Sequence, residues 1–194
     1  MATNVQYEIP TWNQIYDMLL SQTRKIQVFP YKVDVVVAVA RGGLVPGRIL
    51  ADLLETPQLS TMQIEFYIGI GEAMSEPRLK QPLTVSVVGK RVLLVDDIVD
   101  SGRSLELAKT HLQAQGAAEV KTAVLYYKLQ SAEKPDFYEK STSSWVIFPW
   151  DTKETLRKIL QSQAGKRQVN AEVAKIVKAG LPKKLTEKLL EDMQ

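Results

Sequence analysis

The sequence of 194 residues contains no cysteine and only one histidine, His111. Without a thiol, the chain can form neither a disulfide nor a thiolate metal site, and a cysteine nucleophile is excluded. A single imidazole argues against a transition-metal site. A hard cation held by carboxylates and phosphates remains compatible with the composition.

Long apolar runs are also missing. No stretch is long enough to span a membrane, and residues 1–8 lack the basic and apolar regions of a signal peptide. The composition, 45% hydrophobic and 24% charged, is typical of a globular protein, and the length suits one domain with an appendage. We therefore expect a cytoplasmic protein without a membrane partner.

Charge is unevenly distributed along the chain. The net charge is +3, but residues 152–194 contain ten basic and five acidic side chains. Residues 1–151 are left with 15 basic and 17 acidic side chains, a net charge of −2. Any binding of nucleic acid or of an acidic partner would therefore have to involve the C-terminal segment.

Apolar runs alternate with helical patterns over most of the chain. Buried strands are predicted at 34–40, 91–95 and 119–127, a strand with an alternating pattern at 60–67, and helices at 11–22, 48–54 and 105–115. Thr11 and Gln14 have the spacing of a helix capping box. The alternation predicts an α/β fold, with a mostly parallel, twisted sheet flanked by helices. In such sheets, ligands bind beyond the carboxyl ends of the strands.

The most informative stretch is Arg91 to Leu105, RVLLVDDIVDSGRSL. An apolar run is followed by three carboxylates, Asp96, Asp97 and Asp100, and then by a small-residue turn and a helix. Such a turn presents backbone N–H groups to an anion. Carboxylates beside an anion site indicate a ligand that also carries hydroxyl groups or divalent cations, as a phosphorylated sugar does. An ordinary turn with Asp100 or Ser101 as a helix cap would explain the small residues but not three carboxylates.

This stretch resembles the ribose-phosphate loop of the type I phosphoribosyltransferases, in which an apolar strand leads into two acids, a third acid and a phosphate turn. The resemblance implies that Asp96 and Asp97 hold the ribose hydroxyls, directly or through a metal ion and water. It also implies that Asp100 acts as a general acid or base beside the purine ring. The residues implied to bind the 5′-phosphate are Ser101, Gly102, Arg103 and Ser104.

The segment from Val39 to Gly47, VARGGLVPG, resembles the pyrophosphate loop of the same family. Glycines allow backbone N–H groups to approach a diphosphate closely, and a guanidinium can bind it with two hydrogen bonds. In the family the peptide bond before the basic residue is often cis, which here would be Ala40–Arg41. A turn with a solvent-facing arginine is the alternative. The residues implied to bind pyrophosphate are Ala40, Arg41, Gly42 and Gly43.

Residues 122–128 and 144–151, TAVLYYK and SWVIFPWD, resemble the base-recognition region of the 6-oxopurine branch, the hypoxanthine-guanine and xanthine-guanine phosphoribosyltransferases. By this resemblance Lys128 donates to the purine O6, Trp145 stacks on the base, and the backbone of Val146 contacts the ring edge. The alternatives are a solvated Lys128 at a strand end and a Trp145 that only packs in the protein.

Asp151 has two interpretations. It can cap the following helix in a capping box with Glu154. It can also make a metal-linked contact in the site, together with Asp96 and Asp97. The residue types do not decide between these roles.

The resemblance covers roughly residues 34–151 and implies transfer of the 5-phosphoribosyl group from phosphoribosyl diphosphate to N9 of a 6-oxopurine (hypoxanthine, guanine or xanthine). Mg²⁺ is the implied cofactor, and a homodimer or homotetramer is expected. We expect a phosphoribosyltransferase domain at 1–151, with a small base-binding hood, and a basic helical extension at 152–194.

Two other functions are alternatives. One is a regulatory protein that senses phosphoribosyl diphosphate and binds nucleic acid through its basic tail. Lys128 and Trp145 argue against it, because a sensor has no need to recognise a base. The other is a phosphoribosyltransferase for adenine or a pyrimidine, although a lysine donor suits a 6-oxo group and not the 6-amino group of adenine.

Two segments fall outside these motifs. Residues 69–82 are predicted to form a long mobile loop, with a solvated hairpin tip as the alternative. The resemblance implies that this loop closes over the diphosphate, with Arg78 and Lys80 as candidate contacts. The tail has helical patterns that we expect to dock on the enzyme domain or on a second subunit, so that its loss would leave the chemistry intact. Nucleic-acid binding through the tail is the disfavoured alternative. Its predicted helices span 155–161, 170–179 and 183–193.

Overall fold

The computed structural model of the protein describes residues 5–56, 58–67, 76–161 and 165–193. The chain forms two compact units, one from residues 16–142 and one from residues 1–15 together with 143–194. In chain order the elements are β1 (Tyr7–Glu8), α1 (Trp12–Val28), β2 (Val35–Ala40), α2 (Leu44–Leu53), β3 (Leu59–Tyr67), β4 (Glu76–Gln81), β5 (Arg91–Val99), α3 (Arg103–Ala114), β6 (Glu119–Tyr127), β7 (Phe137–Ser141), β8 (Trp145–Val146), α4 (Thr152–Gln161), α5 (Lys166–Lys178) and α6 (Lys183–Glu191).

The larger unit contains a six-stranded sheet in the order β4-β3-β2-β5-β6-β7. All pairs are parallel except β3 with β4, so the prediction of a mostly parallel α/β sheet is confirmed. Residues 35–39 of β2 and 92–95 of β5 are buried, as expected for central strands covered on both faces. From α3, Leu105, Ala108 and Leu112 complete the core against these strands.

The start of α1 confirms the predicted capping box. The backbone N–H of Gln14 donates to Thr11 Oγ1 at 3.3 Å, and the N–H of Thr11 donates to Gln14 Oε1 at 2.8 Å. Each residue therefore satisfies a donor that the first helical turn leaves without a partner. The helix continues to Val28, beyond its predicted end at residue 22.

Helix α2 begins at Leu44, four residues before the predicted start at Arg48. The glycines and Pro46 indicated a turn at this point. Proline is tolerated in the first helical turn, because its missing N–H has no intrahelical acceptor there. The first helical hydrogen bond is already formed by the N–H of Gly47, which donates to Gly43 O at 2.8 Å.

Residues 76–81 form strand β4 instead of part of a loop. This strand pairs with β3 in an antiparallel hairpin, and Lys80 forms an ion pair with Glu65 on β3. Residues 76–81 are therefore one strand of a hairpin, neither a loop nor a hairpin tip. The predicted loop residues 69–75 lie outside the described residues.

The smaller unit contains a two-stranded parallel sheet of β1 and β8 and the three C-terminal helices. All three predicted tail helices are present, each beginning within about one turn of its predicted start. The predicted border after residue 151 separates the segment with the motifs from the tail, whereas the compact units are 16–142 and 1–15 with 143–194. As a border between functional segments, it stays a prediction. Within the described part of the chain, no helix is both long and apolar enough to cross a membrane.

The capping box makes a measurable contribution to stability. Thr11→Ala removes the side-chain acceptor and should lower the free energy of unfolding by about 1 kcal/mol. Thr11→Ser keeps the acceptor and should lose at most a few tenths of that amount. Urea unfolding of the two variants tests this, and equal losses would show that the hydroxyl group does not cap the helix.

Candidate functional site

The acidic residues lie on the central strand β5. The sequence had indicated that this strand ends at Val95, before the two acids. In the structure the strand continues to Val99, so Asp96 and Asp97 lie within it. Asp97 is buried, whereas Asp96 is partly exposed. The N–H of Asp97 donates to Asp96 Oδ1 at 2.9 Å, and the N–H of Ile98 donates to Asp97 Oδ1 at 2.8 Å.

The two carboxylates affect each other electrostatically. Desolvation of the carboxyl group and the adjacent charge of Asp97 raise the pKa of Asp96 well above its ordinary value. Backbone N–H groups of Asp97 and Gly43 act in the opposite direction without cancelling the increase. A divalent cation at this point would offset the repulsion, and carboxylate oxygens are ligands that Mg²⁺ prefers.

The number of protein ligands is small. Among the described residues, no group of three or more acidic or histidine side chains is placed to hold a metal ion. Two carboxylates, as at Asp96 and Asp97, supply only part of the oxygen ligands of a hard cation, so a cation here would take the others from water and from a phosphorylated ligand.

The predicted pyrophosphate loop packs directly on this acidic segment. It follows β2 and contains the expected cis peptide bond between Ala40 and Arg41. A Cβ atom added to Gly42 would lie 2.3 Å from Asp97 Oδ2, and one added to Gly43 would lie 2.3 Å from Val95 O. A side chain at Gly43 is excluded by the backbone of β5, and one at Gly42 would overlap the Asp97 carboxylate unless that side chain moved.

The predicted phosphate loop follows the same strand and leads into α3. Gly102 precedes the helix with φ of +87°, a conformation that favours glycine. The first N–H groups of a helix have no intrahelical acceptor and can bind an anion. A pocket of about 170 Å³ lies at this helix start; it is lined by Asp96, Ile98, Val99, Asp100, Ser101, Gly102, Ser104 and Leu105.

A turn at residues 128–133, which follows β6, is hydrogen-bonded to the phosphate loop. The N–H of Lys128 donates to Val99 O at 2.8 Å, and the N–H of Ala132 donates to Ser101 O at 3.2 Å. Lys128 is buried and does not occupy the solvated strand end considered from the sequence. The structure therefore attaches the predicted base-binding lysine to the predicted phosphate site through the backbone.

Three further residues of this turn and of α3 support the phosphate loop, and the sequence did not indicate them. Ser131 Oγ donates to Glu133 O at 2.8 Å, and Lys109 on α3 donates to Glu133 Oε1, also at 2.8 Å. The carboxylate of Glu133 raises the pKa of Lys109. Lys109 and Glu133 are 24 residues apart and follow no spacing rule. Only the fold brings them together.

The other predicted residues belong to the smaller unit. Trp145 is 51% exposed at the start of β8, so its ring is available for stacking, whereas Val146 is buried. Asp151 directly precedes α4, and its backbone carbonyl accepts from the N–H of Thr155 at 2.9 Å. This position is compatible with a helix cap. The capping role of the Asp151 side chain and its contact with a metal ion both stay predictions.

In open α/β sheets, ligands bind beyond the carboxyl ends of the strands, and the pocket at the start of α3 lies at the carboxyl end of β5. The family model for the phosphoribosyl transferase domain matches residues 7–155. The chain therefore belongs to the phosphoribosyltransferase family.

Individual relatives agree with this assignment. A xanthine-guanine phosphoribosyltransferase of Gluconobacter oxydans is 31% identical over 152 residues, which cover 76% of this chain and 86% of the relative. The crystal structure of a purine phosphoribosyltransferase from Pyrococcus horikoshii is 32% identical, with a TM-score of 0.68, and the match covers 75% of this chain and 93% of that chain. A Neisseria gonorrhoeae protein with bound ppGpp is 26% identical, with a TM-score of 0.65; coverage is 77% of this chain and 91% of that one.

The close approach of the 128–133 turn to Gly102 can be tested by substitution. A Cβ atom at Gly102 would lie 2.8 Å from Ser131 Oγ and 2.9 Å from Glu133 N. Gly102→Ala should therefore weaken binding of phosphoribosyl diphosphate and lower the free energy of unfolding by about 2–3 kcal/mol. Titration calorimetry and urea unfolding measure the two effects.

Gly89→Ala is the matched control for this substitution. Gly89 also has positive φ, +68°, but a Cβ atom there meets nothing within 4 Å. In Gly89→Ala the free energy of unfolding should fall only by roughly 1 kcal/mol, because the positive φ is strained for alanine. Ligand binding should be unchanged. Equal losses in the two variants would show that the contact with the 128–133 turn is unimportant.

Removal of one charge from the carboxylate pair should stabilise the metal-free protein. Because the pKa of Asp96 is higher in the folded than in the unfolded chain, its ionisation reduces stability above the folded-state pKa. Asp96→Asn should therefore raise the melting temperature in EDTA at about pH 8, and the gain should shrink as the pH falls toward the unfolded-state pKa of about 3.9. A gain for Asp96→Asn that does not depend on pH would contradict this account.

Proposed function

We propose that the protein transfers the 5-phosphoribosyl group from phosphoribosyl diphosphate to N9 of a 6-oxopurine, giving a purine nucleotide and pyrophosphate. The observation that carries the proposal is the junction of Gly42 and Gly43 with Asp96 and Asp97, beside the phosphate pocket at α3. The residues proposed to bind the diphosphate, the ribose and the 5′-phosphate all belong to the compact unit of residues 16–142, which supports the proposal. The names of the xanthine-guanine relatives support a 6-oxopurine as the acceptor.

Each group of the donor has a proposed binding site. The backbone N–H groups of residues 101–104 bind the 5′-phosphate, and residues 40–43 bind the diphosphate. Asp96 and Asp97 hold the ribose hydroxyls. We propose Mg²⁺ as the cofactor, with Asp96 and Asp97 as its protein contacts; when bound, it neutralises charge on the departing diphosphate.

The protein then acts mainly by positioning and charge placement. Breaking the bond to the diphosphate leaves positive charge on the ribose ring, and carboxylates beside the ring favour that charge. Asp100 is exposed at the mouth of the phosphate loop, and we propose that it exchanges a proton with the purine ring. Holding both reactants in one orientation supplies a further large part of the rate enhancement.

The base is proposed to be recognised by its 6-oxo group. A lysine carries donors and no acceptor, so Lys128 matches an O6 acceptor and not the amino group of adenine. Trp145 is proposed to stack on the ring, and the backbone of Val146 to contact its edge. The location of Lys128 supports this role, because the residue is buried and its backbone is hydrogen-bonded to Val99 beside the phosphate loop. We further propose a cytoplasmic homodimer or homotetramer.

A nucleotide-formation assay tests the proposed function. The protein is incubated with phosphoribosyl diphosphate, Mg²⁺ and, in turn, hypoxanthine, guanine, xanthine and adenine. We expect nucleotide from at least one 6-oxopurine and none from adenine, with loss of activity in EDTA and recovery on addition of Mg²⁺. The double variant Asp96→Asn with Asp97→Asn should fold but turn over at least about a hundredfold more slowly. Near-normal activity of this variant, or product from adenine alone, would reject the proposal.

Trp145 should contribute to base binding alone. Trp145→Ala should raise the KM for the purine by about tenfold or more, because stacking of a base on an aromatic ring is worth about 1–3 kcal/mol. The KM for phosphoribosyl diphosphate should stay nearly constant, and Trp145→Phe should retain most of the affinity. Trp12→Ala is the control, because Trp12 is similarly exposed, at 54%, but lies outside the proposed base segment. An equal effect on both substrates would mean that Trp145 is structural.

A further inference from the structure

The C-terminal helices pack behind the proposed base segment. The family match ends at residue 155, so α5 and α6 lie beyond it. Even so, these helices share a hydrophobic cluster with Ile147, which directly follows β8. The buried members of the cluster are Ile147, Leu156, Ile176 and Leu181, and partly buried members are Tyr7, Ile9, Ile159, Val173, Leu189 and Met193.

A specific polar contact joins α5 to strand β1. The hydroxyl group of Tyr7 donates to Glu172 Oε1 at 2.5 Å, and Lys175 Nζ lies 3.1 Å from Glu172 Oε2. Burial and the nearby Glu172 raise the pKa of Tyr7, and the hydrogen bond from Tyr7 lowers the pKa of Glu172. The contact is therefore a charge-assisted hydrogen bond that holds the tyrosine side chain against α5.

Strand β1 in turn holds the base segment. Tyr7 is the register partner of Trp145, and the N–H of Trp145 donates to Gln6 O at 2.8 Å. The N–H of Ile147 donates to Glu8 O at 2.9 Å. Two strands of two residues are far below the size that is stable by itself, so their place depends on what packs against them.

We propose that α5 positions the base segment 145–147 through the contact of Glu172 with Tyr7 and through the hydrophobic cluster that Ile176 shares with Ile147. This inference rests on the proposed function, because it assigns purine recognition to that segment. It also changes the expectation that the tail is separate from the chemistry. Tyr7 and Glu172 are positioning residues: they act on purine binding through β1 and β8, and not on the sugar-phosphate site.

The test uses full-length Tyr7→Phe, which removes the hydroxyl group and keeps the ring. Hydrogen–deuterium exchange of the ligand-free protein should show faster exchange of the Trp145 and Ile147 amides, by about threefold to tenfold. In the nucleotide-formation assay, the KM for the 6-oxopurine should rise by a similar factor. The KM for phosphoribosyl diphosphate should not change, since its proposed site lies in the other compact unit.

Two further variants separate positioning from general destabilisation. Glu172→Ala should reproduce the effect of Tyr7→Phe, and Glu172→Gln, which keeps an acceptor, should restore most of the wild-type behaviour. Glu187→Gln is the matched control, because Glu187 is an exposed acid on α6 whose ion pair among the described residues lies within its own helix, with Lys183 at 3.7 Å. It should leave both measurements unchanged.

The exchange measurement is independent of activity. Wild-type exchange at Trp145 and Ile147 in both Tyr7→Phe and Glu172→Ala would overturn the proposed positioning, whatever the enzyme assay shows. An equal rise in both KM values would overturn it as well. If the wild-type protein forms no nucleotide from any 6-oxopurine, the proposed function fails by itself, and the exchange rates still decide whether α5 holds the segment.

Discussion

Asp96 and Asp97 are consecutive residues of a central strand, and the loop that covers them approaches so closely that a side chain at Gly42 or Gly43 would overlap the strand. The two carboxylates repel each other, and burial increases this repulsion. Gly42 and Gly43 allow the loop to lie in direct contact with this pair of acids. The site therefore combines a surplus of negative charge with backbone amides nearby. This combination suits a ligand that brings its own phosphates together with a cation.

The central strands were predictable because burial on both faces leaves a continuous apolar run, as in Val92 to Val95. The loops after β2 and β5 were predictable because glycines, acids and hydroxyl residues directly after an apolar run are unusual in a loop with a purely structural role. The end of β5 was placed too early because carboxylates usually interrupt a strand. Here, the ladder with β6 continues to Val99 and Tyr127.

Contacts between distant residues could not be predicted from one sequence. Lys109 and Glu133 are ordinary charged residues on a helix and in a turn, and Tyr7 and Glu172 are 165 positions apart. Neither pair produces a periodic pattern or a motif, and each forms only because the fold brings two elements together. The C-terminal stripes predicted a docking surface, but the sequence did not show that this surface includes Ile147.

The 128–133 turn has a consequence for the size of the ligand. The backbone N–H of Lys128 donates to Val99 O and that of Ala132 donates to Ser101 O, so the segment of the proposed base donor is tied to the phosphate loop at two points. A single ligand that meets both the proposed base donor and the proposed phosphate site would therefore have to fit a separation that the backbone of these two segments limits.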